Sequence, residues 1–173
     1  MPDTPLPNSY WVIPDKLLAG DYPGSKFNDN ETHLRISHLL EAGVNFILDL
    51  TRPAEMPSYT AVLREEASWR QITAEHHRLP VHDLRTFSFT EMIRVLDLID
   101  SALAGGKIVY VHCRAGLGRT GSVVGCFLAR HGMKGEEALA EIKHLRQVAA
   151  NSYFDSPEND DQRELIRSWR VGL

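Results

Sequence analysis

The sequence predicts a single α/β domain built on a central, mostly parallel sheet of four to five strands flanked by helices. Three observations point there. Short apolar runs of strand length alternate along the chain with longer stretches of helical periodicity, the pattern of βα units. Two of those runs, "VNFILDL" (44–50) and "IVYV" (108–111), are apolar almost throughout, as strands covered on both faces are. The 173 residues, 43% hydrophobic and 24% charged, suffice for one well-filled core. Residues 1–9 carry three prolines and are expected to lie loosely on the surface, leaving 10–173 as the domain.

The elements follow in order. "YWVIPDKLLAGDYPG" (10–24) reads as two short strands separated by a turn near Pro14–Asp15 and closed by Pro23–Gly24. A helix is expected from about Asn30 to Ala42, with Leu34, Leu39 and Leu40 facing inward and Gly43 as its stop. The strand 44–50 follows, then an amphipathic helix from Pro57 to about Arg70 with the proline at its first position. "ITAEHHRLPVHD" (72–83) holds a strand that runs into a loop. The third helix is the best marked: Ser88 and Glu91 form a capping box, Met92, Val95, Leu96, Ile99 and Leu103 make an apolar stripe, and Gly105–Gly106 end it. After strand 108–112, "TGSVVGCFLARHG" (120–132) is apolar nearly all round, which suits a buried helix. An amphipathic helix from about Glu136 to Ala149 comes next. A last one starts at Ser156–Pro157 and ends near Trp169, with acids in its first turn.

Composition excludes several function classes. A net charge of −4 and an isoelectric point near 6.0 give no reason to expect nucleic acid or an anionic membrane surface as partner. No run approaches the ~18 apolar residues of a membrane helix, and "MPDTPLPNSYW" has neither the basic nor the apolar part of a signal peptide. Two cysteines cannot make a disulfide framework, so a reducing, cytoplasmic location is expected.

One of those cysteines stands in "VHCRAGLGRTG" (111–121), a strand followed by a short glycine-containing loop and a helix N-terminus. Amides at such a turn are unpaired and the helix dipole adds partial positive charge, so the place is prepared for an anion. Gly116 and Gly118 relax the backbone so that successive amides converge, and Arg119 offers a planar fork for two phosphate oxygens. Residues 114–119, that is Arg114, Ala115, Gly116, Leu117, Gly118 and Arg119, are thus the candidate phosphate cradle. Cys113 lies at its base, where the amides and Arg119 would favour a thiolate placed for in-line attack on phosphorus. Thr120 could donate its hydroxyl to the sulfur. In a shuffled chain of this composition, His-Cys-x5-Arg-Ser/Thr is expected on the order of once in a thousand chains.

These residues resemble the signature of the protein tyrosine phosphatase superfamily, His-Cys-x5-Arg-Ser/Thr, and the chain is similar in length and element order to its small dual-specificity branch. The opening "WVIPDKLLAGDYPG" is also similar to the first strands of such domains. The resemblance implies a metal-free, cofactor-free phosphate-monoester hydrolase acting through a phosphocysteine on phosphorylated protein, on phosphotyrosine and also phosphoserine or phosphothreonine. It implies a general acid on a loop about thirty residues before the cysteine, where Asp83 stands in "LPVHDLRTFS". His82 takes the place of the proline that often precedes that acid. The family role of His112 is to hydrogen-bond the loop. Gln162, which shares a helix face with Leu165, Ile166 and Trp169, matches a glutamine that some members use to position the hydrolytic water. A Walker-type loop is excluded because its lysine is missing.

The alternatives are a phosphatase of a non-protein phosphate (an inositol phosphate, a nucleotide or an RNA 5′-end) and a non-catalytic phosphate-binding module. The absence of lysines between Cys113 and Arg119 tilts away from highly phosphorylated inositol lipids. Arg52 and Arg85 lie on loops that could border the pocket. "EHH" (75–77) with His82 invites a metal, but adjacent histidines on a strand face opposite ways and no thiol or carboxylate set completes a site, so no metal is expected. Cys126 reads as a core residue.

Overall fold

The computed structural model describes residues 3–83 and 85–173. Five strands, β1 (Tyr10–Ile13), β2 (Leu17–Gly20), β3 (Phe46–Asp49), β4 (Glu75–Arg78) and β5 (Val109–His112), form one sheet in the order β1-β2-β5-β3-β4. Only the β1–β2 pair is antiparallel, joined by a tight turn in which Asp15 takes a φ of 57°. The β2–β5, β5–β3 and β3–β4 pairs are parallel. Their register sets Gly20, His112 and Asp49 in one row at the carboxyl edge, the edge at which parallel α/β sheets place their ligands.

The helices are α1 (Asp29–Glu41), α2 (Thr60–Trp69), α3 (Phe89–Ala104), α4 (Gly118–Arg130), α5 (Gly135–Leu145) and α6 (Asp160–Ser168), with a 3₁₀ turn at Arg146–Val148. They cover both sheet faces. Leu18, Ile47 and Tyr110 pack with Ile36, Leu39 and Leu63 of α1 and α2. Their strand neighbours Ala19, Leu48, Val109 and Val111 pack on the other face with Leu96, Val123 and Ile166 of α3, α4 and α6. Alternate residues of one strand feed two cores, which is why "VNFILDL" carries no polar alternation.

The structure corrects several expectations. Leu34 is 56% exposed, while α1 buries Thr32, Ile36, Leu39 and Leu40. Two residues from Ile36 is about 200° around the helix, so Leu34 faces away from the core. Helix α2 starts at Thr60, not Pro57, because the Tyr59 side chain turns inward and is buried. Helix α6 starts at Asp160, not at Ser156–Pro157: Asn159 caps it by accepting from the Gln162 amide at 3.0 Å. The helix expected to reach Ala149 tightens at Arg146 into the 3₁₀ turn. The N-terminal segment is docked from Leu6 onward, with Leu6 and Ser9 buried and the Ala150 amide donating to the Pro7 carbonyl at 2.8 Å. Residues 1 and 2 lie outside the described residues. The Ser88–Glu91 capping box is present as read.

Leu96 of α3 is fully buried in the larger core. Leu96→Ala should cost about 2–5 kcal/mol of stability, read as a lower urea midpoint with an unchanged m-value.

Candidate active site

Strand β5 carries His112 to the sheet edge, and the chain turns through residues 113–117 before α4 begins at Gly118. Gly116 makes the turn possible. Its φ is +73°, and a Cβ there would lie 2.7 Å from the Gly20 carbonyl carbon and 2.8 Å from the Asp21 nitrogen. Four of the loop's carbonyls are bonded by groups around it. That of Cys113 accepts from His112 Nδ1 at 3.0 Å, and that of Arg114 from the Tyr22 amide at 3.1 Å. That of Ala115 accepts from Asn151 Nδ2 at 3.2 Å, and that of Leu117 from Ser156 Oγ at 2.9 Å. Among the described residues the amides of 114–117 donate to no backbone carbonyl. Successive N–H groups turned to one side form an anion-binding nest, and α4 adds the positive end of its dipole.

Cys113 is buried at the base of this nest. The His112 ring beside it is fully buried, and burial pushes its pKa down despite the opposing charge of Asp49. With Nδ1–H donating to the Cys113 carbonyl, Nε2 is left to accept from the Tyr59 hydroxyl at 2.6 Å. Burial holds that phenol protonated, well above its ordinary value. Asp49, 3.9 Å from Nε2, accepts from the Thr51 amide and hydroxyl and from Arg78. Burial pushes its carboxyl up, but the His76 ring, the His112 ring when protonated, Thr51 and Arg78 together hold it well below the usual carboxylate range.

Arg119 is 1% exposed. Its Nη1 donates to the carbonyls of Val81 and Leu50 at 3.0 and 3.3 Å and to Glu55 Oε2 at 3.0 Å. Its Nη2 donates to Glu55 Oε1 at 2.6 Å and lies 3.1 Å from Asp83 Oδ1. Among the described residues Nε is buried with no hydrogen-bond partner. Burial alone would lower the guanidinium pKa, but Glu55, the Cys113 charge and Asp83 raise it above its ordinary value. Burial likewise opposes ionisation of Glu55, and the bonds from Arg119 and the Arg52 amide outweigh it, leaving its carboxyl below the usual range. This clamp escaped the sequence reading. A buried arginine needs a carboxylate, and Glu55 is the single acid in the 51–59 loop that leaves β3 at the same sheet edge, so a signal was there.

Asp83 therefore stands at the site, with its side chain 43% exposed. Gln162 is fully buried under the loop: a Cβ on Gly118 would come within 2.9 Å of its Nε2 and 3.0 Å of its Oε1. Its Oε1 accepts from the Glu158 amide at 3.1 Å. Thr120 departs from expectation, since its hydroxyl donates to the Gly20 carbonyl at 3.3 Å and not to the sulfur. Arg114 and Ala115 are exposed at the rim, and Leu117 is buried. The Arg52 guanidinium sits 3.2 Å from His82 Nδ1. His76 faces Asp49 and Tyr59, whereas His77 stacks on Phe46. Cys126 is buried in α4, and burial pushes its thiol up.

Fold and loop together define a domain of the protein tyrosine phosphatase superfamily, of its small dual-specificity branch. More narrowly, residues 6–164 match the model of the PTP-SAK family, described as Swiss Army Knife protein, DSP-PTPase phosphatase domain, and the chain belongs to that family. It is 31% identical to the mouse "Protein tyrosine phosphatase domain-containing protein 1" over 69% of this chain and 16% of that one. It is 29% identical to the Arabidopsis thaliana "Phosphatidylglycerophosphate phosphatase PTPMT2" over 79% of this chain and 53% of that one. The chain thus spans well under two thirds of these curated relatives. Its fold is shared with P. aeruginosa TpbA, solved in complex with pTyr, at a TM-score of 0.70 and 20% identity over 97% of this chain and 88% of that one.

Two predictions follow from the geometry. Gly116→Ala should lose about 1–3 kcal/mol of stability and weaken inorganic phosphate binding, read by urea unfolding and by titration. Asp49 has a folded pKa below its unfolded one, so its stabilisation is whole above about pH 4 and is lost as pH falls toward the folded value. Asp49→Asn should be less stable at pH 7, yet show a flatter loss of stability between about pH 4 and pH 2.

Proposed function

We propose that this chain hydrolyses phosphate monoesters through a phosphocysteine, with phosphotyrosine in proteins as substrate and phosphoserine or phosphothreonine as further substrates. The observation that carries the reading is the buried Nε of Arg119, unpartnered among the described residues, at the head of a loop whose carbonyls at 113, 114, 115 and 117 are bonded to groups around it. A buried N–H without a partner costs about 1–3 kcal/mol, and a phosphate oxygen held by the loop amides would satisfy it.

In the first step the Cys113 thiolate attacks phosphorus in line, the bond to the ester oxygen breaks, and Asp83 gives its proton to the leaving oxygen. In the second, the Asp83 carboxylate takes a proton from water. That water attacks phosphorus, the P–S bond breaks and the thiolate returns. Glu55 keeps the Arg119 fork in place throughout, as the bidentate contact supports. His112 holds the loop through the Cys113 carbonyl. Gln162, packed against Gly118, is the residue this reading assigns to orienting the water. Thr120 steadies the sulfur only if its hydroxyl leaves the Gly20 carbonyl. No step calls on a metal or an organic cofactor. A cytoplasmic location is consistent with two free, buried cysteines. Among the described residues no helix is long and apolar enough to cross a membrane.

The second reading is a non-protein phosphate, favoured by the likeness to a relative named for phosphatidylglycerophosphate. A substrate panel of phosphopeptides, phospholipids and nucleotides decides between them.

Hydrolysis of para-nitrophenyl phosphate in EDTA across pH 4.5–8 tests the mechanism. Wild type should be active with a bell-shaped profile, and Cys113→Ser should show no turnover. Asp83→Asn should lose about 10²–10⁴ in rate together with the basic limb. An inactive wild type with reduced Cys113 would overturn the reading and leave a phosphate-binding module.

A further inference from the structure

A second cavity, of about 490 Å³, opens between α5, α6 and the 152–157 segment that joins them. None of residues 113–119 lines it. Its volume falls in the range of small-molecule sites, and its lining is cationic: Lys143, Arg146 and Arg163 against the single carboxylate Asp155.

The charges in this cavity are poorly balanced. Arg146 is 97% buried (3% exposed). Among the described residues it donates only to neutral acceptors, the carbonyls of Phe154 and Asn151 at 2.8 and 3.0 Å and the Asn151 amide oxygen at 2.9 Å. Burial lowers its pKa, with Tyr10 and Asp155 offsetting that only in part. Among the described residues neither Lys143 nor Arg146 has a carboxylate within 4.0 Å. Arg163 donates to the Pro157 carbonyl at 2.7 Å, and its nearest carboxylate, Asp160 at 3.4 Å, is 94% exposed. A buried cation without a counter-charge is costly, whereas an anion in the cavity would meet a fork, an ammonium and the hydroxyls of Ser152 and Tyr153.

We propose that this cavity is a second phosphoryl-binding site, taking a phosphate dianion either free or as a second phosphoryl group of a substrate. Its wall is also the support of the loop. Ser156 lines the cavity and donates to the Leu117 carbonyl, and Asn151, which holds the Ala115 carbonyl, is itself held by Arg146. An occupant there sits one or two hydrogen bonds from the catalytic loop.

The test is a ¹⁵N NMR titration. With inorganic phosphate, amide shifts should appear in two sets, one at residues 114–119 and one at 143, 146 and 152–156. In Lys143→Gln/Arg163→Gln the second set should require at least tenfold more phosphate while the first is unchanged. Both side chains are outside the fully buried core, so the spectrum also reports that the fold is intact. A peptide carrying two phosphotyrosines, added to Cys113→Ser, separates the two sources. Two sets with different midpoints in inorganic phosphate mean a free anion. Both sets moving together with the peptide, and only the loop set with inorganic phosphate, mean a second phosphoryl group of the substrate. If neither probe shifts the 143–156 set, or the double variant responds like wild type to the probe that does shift it, the proposal is wrong. Failure of the catalytic reading would show instead as a silent loop set.

Discussion

A loop that shows its amides to an anion must hide its carbonyls elsewhere, and much of this structure is organised around that constraint. Each exposed N–H in residues 114–117 comes with a carbonyl that cannot be left buried and unpaired. Four donors from three separate places answer it for the carbonyls of Cys113, Arg114, Ala115 and Leu117: the His112 ring, the Tyr22 amide, the Asn151 side chain and the Ser156 hydroxyl. Tyr22 follows β2, Asn151 and Ser156 come from the α5–α6 connection, and His112 ends β5. The loop is thus held from every side by elements that the sheet and helix packing have already fixed. This is the preorganisation that oxyanion binding needs, since the dipoles are oriented before any ligand arrives.

Electrostatics at the same edge follows a two-level plan. Beneath the loop, Asp49 is ionised and bonded by Thr51, His76 and Arg78, and burial keeps His112 neutral against the pull of that charge. A protonated His112 would lose its role as acceptor for Tyr59, and the chain Tyr59–His112–Cys113 would come apart. Above the loop, Glu55 neutralises Arg119 along one edge of the fork and leaves Nε uncommitted. The clamp is not there for stability alone, because buried ion pairs are poor stabilisers. It fixes a planar cation whose Nε is available.

The motif, the strand–loop–helix setting and the place of Asp83 were legible because each is local or family-borne. His112, Cys113, Arg119 and Thr120 are close in sequence, and one strand, one helix and the loop between them carry them all. Asp83 lies after a strand parallel to β5 by way of β3, so its loop had to open at the same edge. What escaped was set by tertiary packing. The partner of Arg119 depends on which of several edge loops folds over it, and no periodicity encodes that choice. The start of α2 was misplaced because Pro57 satisfies the local rule for a first helical residue, whereas burial of Tyr59 decides the start. Leu34 shows the same limit on a smaller scale: its apolar side chain suits the core, but its angle to Ile36 turns it to the surface. Thr120 was assigned to the sulfur on chemistry, while the nearby Gly20 carbonyl, brought in by β2, takes its proton.

The apolar character of α4 carries the last step. A helix buried nearly all round cannot roll or slide, so its N-terminus and the loop before it hold one position against the sheet. Along one side of α4, Gly118, Gly121 and Gly125 recur at helical spacing. A Cβ at each would run into Gln162 and Glu158, into Ser156 and Pro157, and into Ile166 respectively. That stripe lets the 156–166 segment close onto α4 at backbone distance. It is the reason a glutamine from the last helix lies against a loop some forty residues earlier in the chain. The same closeness sets Ser156 on the Leu117 carbonyl. The residues that shape the loop and those that hold it in place are therefore products of one packing arrangement, and a side chain added anywhere on the stripe would move both together.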